Sequence, residues 1–362
     1  MKILYCIFAL DVPGGMQRVL TTKANYLAEN AGYQVHIAIC SGEPGAAFYP
    51  LSPKITVHQV HEPYRQKLTS LLFSLKPAIT VSMYGKEHRF LYKINDGSRK
   101  ILEFHFTRNY LLHLVRGIKN LRFRKLRLVY VWLIQQQERR FSRHYDRLVL
   151  LTNADKKLWR DQSNIAVIPN PLPFTSPEKS NLTVKRVIAI GRLMAVKGFD
   201  LLIDAWRLVV LDYPDWELAI FGEGQDEALL AGKIKEYGLT ETVALQPPTQ
   251  DVRREFLQSA ICAFPSRSDG FGLVLIEAME CGVPCVAFDC ECGPGEIITD
   301  EVNGLLVPQQ DVAMFAAALM RLMASRTLRE DLGAKAIQMA SKYRADKIMP
   351  HWEELFYTVL HE

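Results

Sequence analysis

The stretch SDGFGLVLIEAMECGVPCVAFD, residues 268–289, sets two carboxylates, Asp269 and Glu277, eight positions apart in otherwise apolar, glycine-spaced sequence. Carboxylates accept hydrogen bonds, and Glu277, amid Val274, Leu275, Ile276, Ala278 and Met279, needs donors that a ligand's hydroxyls would supply. The alternative is an exposed position on an amphipathic helix. Asp269 precedes that helix in a turn, where it is positioned to accept hydrogen bonds from a polyol. Gly270 and Gly272 remove side chains where backbone must approach a ligand, and the N–H groups at the helix start suit a phosphate or sugar oxygen. Upstream, GRLMAVKGF follows the strand-like run VKRVIAI, so Arg192 and Lys197 emerge at a strand's carboxyl end just before a helix. Two cations there suit a diphosphate, the guanidinium binding two oxygens and the ammonium acting as a point charge.

Positioning such groups requires strand ends held in register, and the sequence supplies strands in both halves. ILYCIFAL, QVHIAIC, ITVHQV, AITVSM, ILEFHF, RLVLLT and IAVIP alternate with longer helical segments, the pattern of a parallel sheet flanked by helices. NPLPFTSPEKSNLT, residues 170–183, breaks that pattern and reads as an interdomain linker. VKRVIAIG, ELAIFG, TVALQ, ICAFPS, PCVAF and GLLVP then repeat it. The expected fold is therefore α/β, with two doubly wound domains over 1–170 and 171–344. The last helix, within 345–362, is expected to cross back to the first domain. Ligands in such sheets bind at the carboxyl ends of strands and in clefts between domains.

A chain of 362 residues exceeds one hydrophobic core, in keeping with two domains. Its longest apolar runs, such as LVYVWLI, fall short of the roughly 20 residues that span a bilayer, so a soluble protein is expected. MKILYCIFAL lacks a small-residue cleavage site and reads as a buried strand, and seven cysteines without an export signal suggest reduced thiols in the cytoplasm. Cys281, Cys285, Cys290 and Cys292 cluster, but without the paired Cys-x-x-Cys spacing of a zinc site, and no metal is expected.

The net charge of +5 conceals an asymmetry: residues 1–170 hold 26 Lys and Arg against 11 Asp and Glu, whereas residues 171–362 hold 18 against 28. Eleven of the basic residues lie in segment 108–147, among them Arg116, Lys119, Arg122, Arg124, Lys125, Arg127, Arg139 and Arg140, interleaved with apolar and aromatic residues. Such a segment suits an anionic membrane surface or a phosphorylated acceptor, against the alternative of a solvated helical face. No zinc-finger spacing or RNA-binding signature points to nucleic acid.

GGMQRVLTTKANYLA, VIPNP, GRLMAVKGFDLLIDAW, FPSRSDGFGLVLIEAMECGVP and FDCECGPGEIITDEVNGLLVP, in that order, resemble family 4 glycosyltransferases. The likeness is most specific over 184–308. It implies the GT-B fold, two Rossmann-like domains facing across a cleft, and a retaining transferase that needs no metal or other cofactor. The expected function is transfer of a hexose or N-acetylhexosamine from a nucleotide sugar, UDP-linked by analogy with surface-polysaccharide and lipopolysaccharide enzymes. The acceptor would be a glycan or a lipid-pyrophosphate-linked sugar, and the enzyme would dock on the cytoplasmic face of the inner membrane.

The resemblance also implies roles. Arg192 and Lys197 hold the diphosphate and stabilise the leaving group. Glu277 binds the ribose, and Asp269 orients the transferred sugar. Backbone amides of Gly270, Phe271, Gly272, Leu273 and Val274 contact sugar and phosphate, Gly14 and Gly15 lie near phosphates and acceptor, and His105 lies near the sugar. The family's paired carboxylates are usually both Glu, and Asp269 departs from that pattern by one methylene. The other readings are a non-catalytic nucleotide-sugar or carbohydrate-binding subunit and a UDP-sugar epimerase.

Overall fold

The computed structural model describes residues 1–42, 45–112, 121–160 and 162–362. The chain divides into two units, each organised on its own sheet. Unit 1 takes in Met1–Arg108, the stretch ending at Pro173 and Ala345–Glu362, and unit 2 takes in Phe174–Arg344.

The sheet of unit 1 contains β1 (Lys2–Ile7), β2 (Gln34–Ile39), β3 (Thr56–Gln59), β4 (Ile79–Ser82), β5 (Arg99–Glu103), β6 (Arg147–Leu150) and β7 (Ile165–Val167). Their order is β3-β2-β1-β4-β5-β6-β7, and every pairing is parallel. β4 is buried throughout and β1 beyond Lys2, which is why these strands read as near-continuous apolar runs rather than alternating ones. The strand order reverses between β1 and β4, which pair Ile3 with Ile79 and Tyr5 with Val81, so the connections leaving them diverge. The first connection leads into the helix Gly15–Glu29, whose buried face includes Val19, Leu20, Lys23, Ala24 and Leu27 at helical spacing. A lysine stands in that stripe. The helix Ala345–His361 belongs to the same unit and buries Ile348, Met349, Trp352, Leu355, Phe356 and Val359.

Unit 2 repeats the arrangement with β8 (Arg186–Ile190), β9 (Glu217–Phe221), β10 (Val243–Gln246), β11 (Ile261–Phe264), β12 (Cys285–Phe288) and β13 (Leu305–Val307). Their order is β10-β9-β8-β11-β12-β13, so the reversal falls between β8 and β11. The helix after β8, Phe199–Val209, buries Phe199, Leu202, Ile203, Trp206 and Val209, a stripe that would be lost by a one-residue slip in phase. Each of the thirteen strands among the described residues overlaps a run read from the sequence as a strand, β1 starting one residue and β5 two residues before its run, because alternation of short β-branched runs with helical periods is a local signal.

The proline-rich stretch 170–183 has no helix or strand, yet it is fastened. The Ser176 amide donates to Glu280 Oε1 at 3.0 Å, and Lys179 reaches the same oxygen at 3.2 Å. Arg344, just before the last helix, also reaches Glu280 Oε1 at 3.2 Å. Glu280, fully buried, thus secures both chain segments at the edge of unit 2.

Candidate functional site

The reversal between β8 and β11 is what brings the candidate residues of unit 2 together. Residues 191–198 leave β8, residues 265–272 leave β11, and adjacent strands deliver both to the same edge. After β8 the chain forms a short 3-10 turn, Ala195–Lys197, and then Gly198 at φ 70°, where an added Cβ would stand 2.0 Å from the Pro265 carbonyl oxygen. Only glycine allows that close approach. The two connections are bound further by Arg267. Its amide donates to the Val196 carbonyl at 2.8 Å, and its guanidinium donates to both Asp200 carboxylate oxygens at 2.6 and 2.7 Å. Burial alone would raise the Asp200 carboxyl, but Arg267 holds it below its usual range.

This framework places Lys197 Nζ 2.5 Å from Asp269 Oδ2. Asp269 Oδ1 accepts from the amides of Phe271 and Gly272 at 3.1 and 3.0 Å. Burial opposes ionisation of Asp269, but the Lys197 charge and these donors outweigh it and hold the carboxyl below its ordinary value. Two of the five amides expected to face a ligand therefore turn toward Asp269. Gly272, at φ 94°, ends the turn and begins the helix Leu273–Glu280, which carries Val274 in its first turn. Phe271 packs its ring edge-on against Tyr343 at 5.5 Å, and Gly270 is buried. Arg192 is exposed and makes no salt bridge among the described residues. Glu277 is buried at 2% exposure, so the alternative of a solvent-facing position on an amphipathic helix is discarded.

In unit 1, Gly14 is extended at φ −179° and Gly15 opens the helix after β1, with no atom within 4 Å of an added Cβ. Gly14's extended backbone is open to any residue, and the chain's own packing does not require glycine at Gly15. His105 follows β5, and its Nε2 stands 3.2 Å from Glu103 Oε1. Glu103 Oε2 in turn receives the Lys23 ammonium at 2.5 Å, with both side chains buried. Burial works against the Glu103 charge, but Lys23 and His105 overcome it and bring the carboxyl down to about 2.

The basic segment is described in part. Arg116 and Lys119 lie outside the described residues, as do the side chains of Arg122 and Arg124. On the helix Leu121–Ser142, Lys125 and Arg127 are exposed beside Leu126 at 70%, Tyr130 at 63%, Trp132 at 57% and Leu133 at 53% exposure. These large apolar groups form an exposed patch beside the basic ones. No helix among the described residues is long and apolar enough to cross a membrane. No group of three or more His, Cys, Asp or Glu among them is placed to hold a metal ion. The seven cysteines form no disulfide, and burial pushes the Cys281 and Cys290 thiols up to about 12.

Sequence reasoning missed Arg267, Asp200, Lys23 and Glu103. Lys23 did leave a signal, since it falls in phase with Leu20, Ala24 and Leu27 on one helical face. Arg267 left none, because its partner is 67 residues away.

Residues 174–339 match the family described as glycosyl transferases group 1. The chain is 29% identical over 98% of its length, and 99% of the relative's, to the amylovoran biosynthesis glycosyltransferase AmsD of Erwinia amylovora. It is 38% identical over 58% of its length to an exopolysaccharide phosphotransferase of Streptomyces coelicolor, of which it spans 23%. Among solved structures, a variant of S. aureus TarM in complex with fondaparinux, α-GlcNAc-glycerol and UDP superposes with a TM-score of 0.80 at 17% identity, covering 98% of this chain and 99% of that one. That last likeness speaks to fold alone. The two Rossmann-like parallel-sheet units are those of the GT-B fold, and with the family match over unit 2 they support a GT-B glycosyltransferase.

Proposed function

We propose that this protein is a retaining, metal-independent glycosyltransferase that moves a hexose or N-acetylhexosamine from a UDP-sugar to a glycan or lipid-pyrophosphate-linked acceptor in cell-surface polysaccharide synthesis. The observation that carries the reading is the meeting of Lys197 and Asp269 at the strand-order reversal of unit 2, where Arg192 also leaves β8 and the helix bearing Glu277 begins. Arg192 and Lys197 take the diphosphate, and their prearranged charge stabilises the leaving group where another enzyme would use a metal. On donor binding, Lys197 is shared between the phosphate and Asp269, whose carboxylate turns to the sugar hydroxyls. Glu277 accepts from the ribose. Gly14 and Gly15 leave room for phosphates and acceptor, and His105 meets the transferred sugar.

The TarM complex supports a UDP-linked donor, since UDP is bound there, and AmsD supports exopolysaccharide synthesis as the setting. The exposed apolar and basic side chains at 125–133 support docking on the anionic cytoplasmic face of a membrane.

The test is a screen of nucleotide sugars with a crude lipid-linked acceptor extract, following nucleoside diphosphate release. Acceptor-dependent UDP release from one donor is the expected result. Tight donor binding with no release would replace the transferase with a binding subunit, and acceptor-independent conversion of the sugar would indicate an epimerase.

A further inference from the structure

Unit 1 buries a lysine and a glutamate that the proposed reaction does not use, and they stand directly behind the histidine that it does. Resting on the transferase reading, we infer that Glu103 is a positioning residue for His105, held to that task by Lys23 and by Trp352 of the last helix. The two oxygens of the Glu103 carboxylate are divided between two partners. Oε2 takes Lys23 Nζ at 2.5 Å, and Oε1 stands 3.2 Å from His105 Nε2. Lys23 Nζ lies over the Trp352 ring, 3.5 Å from its centroid, and 5.4 Å from that of Tyr5. These rings and the carboxylate leave the ammonium no other direction in which to turn.

The arrangement fixes more than place. Glu103 ends β5 and His105 follows two positions later, where the chain brings the two side chains within 3.2 Å. Nε2 stands 3.2 Å from Glu103 Oε1 but is not aligned with it as a hydrogen bond, so the ring must turn slightly to bring an Nε2–H onto the carboxylate; that tautomer leaves Nδ1 as an acceptor for a substrate hydroxyl, the division of labour by which a carboxylate sets an imidazole tautomer. Because Lys23 already balances the carboxylate, Glu103 acts as a fixed acceptor rather than as a base competing for a second proton. A purely structural pair in this place would leave the ring's tautomer unset.

The wild-type protein is measured first. Ring nitrogens of histidine-labelled protein are observed by NMR at pH 8, with the His105 signal assigned by its loss in His105→Gln. A single Nε2–H tautomer is expected, and an Nδ1–H tautomer or a rapidly averaging mixture overturns the inference. Glu103→Gln is then examined for folding by thermal melting and for turnover. By analogy with carboxylates behind metal-bound histidines, kcat falls about 10–100-fold with the donor KM nearly unchanged. A folded Glu103→Gln protein with wild-type kcat also overturns it. If that variant does not fold, the wild-type tautomer still decides. If wild-type protein turns over no nucleotide sugar, the transferase reading fails while the tautomer continues to test the positioning.

Discussion

Each unit holds a lysine and a carboxylate 2.5 Å apart, and the two pairs are built for different purposes. Lys197 and Asp269 sit on connections at a strand-order reversal with side chains 27% and 15% exposed, whereas Lys23 and Glu103 are 0% and 1% exposed. A pair that water reaches can exchange one partner for a ligand, because the desolvation of both ions is incomplete. A pair sealed under Trp352 cannot, and its value lies in what it holds fixed. Contact distance alone does not separate a binding group from a positioning group, but accessibility does.

Breaking the sealed pair should have the largest effect. Lys23→Met leaves a buried carboxylate uncompensated and should destabilise unit 1 by about 3–5 kcal/mol in chemical denaturation. Lys23→Met combined with Glu103→Leu should recover most of that loss, and a double variant as unstable as the single one would contradict the pairing. The same pair sets an acid limit. Glu103 lies at about 2 when folded, below an unfolded carboxylate near ~4.3. Its contribution is therefore full above the unfolded value and is lost as pH falls through that range toward about 2. Melting curves between pH 7 and pH 3 should show a smaller acid loss in Glu103→Gln than in wild type.

The accessible pair should show its worth in turnover rather than in folding. Lys197→Ala and Arg192→Ala should each lower kcat by roughly 10²–10³-fold, the scale of a lost electrostatic donor, with melting temperatures little changed. Near-normal turnover in both variants would remove them from the mechanism. Gly198→Ala tests the frame instead of the charge. It forces a left-handed residue to carry a Cβ against the Pro265 carbonyl, and should cost at least about 1–2 kcal/mol of stability in unit 2. The smallest effect per residue belongs to the helix Leu121–Ser142, where neutralising Lys125 and Arg127 should weaken binding to anionic vesicles by about 1 kcal/mol each. That loss should shrink as salt is raised, and unchanged binding would restore the solvated-face reading.

How much of this was legible follows from the range of the interactions. The positions of Arg192, Lys197, Asp269 and Glu277 could be read because each lies next to a strand or helix signal spanning a few residues. The engagement of Asp269 with Lys197 and the Phe271 and Gly272 amides was not legible, since a carboxylate in a turn reads the same whether it faces a ligand or its own neighbours. For Glu277 the sequence left burial and exposure open, and the structure decided for burial.

By itself the sequence determined the elements of both sheets, because hydrophobic period and turn chemistry are local, and it determined which polar residues stand at strand ends. Strand order was left to the tertiary structure. Placing β8 beside β11 and β1 beside β4 requires packing between residues 70 or more positions apart, and no local pattern encodes such a pairing. Strand order also decided the fate of the charges. Lys23 follows a helical stripe into the interior, where Glu103, 80 residues away, meets it, while Lys197, on a connection leaving the strand-order reversal, stays partly open to water.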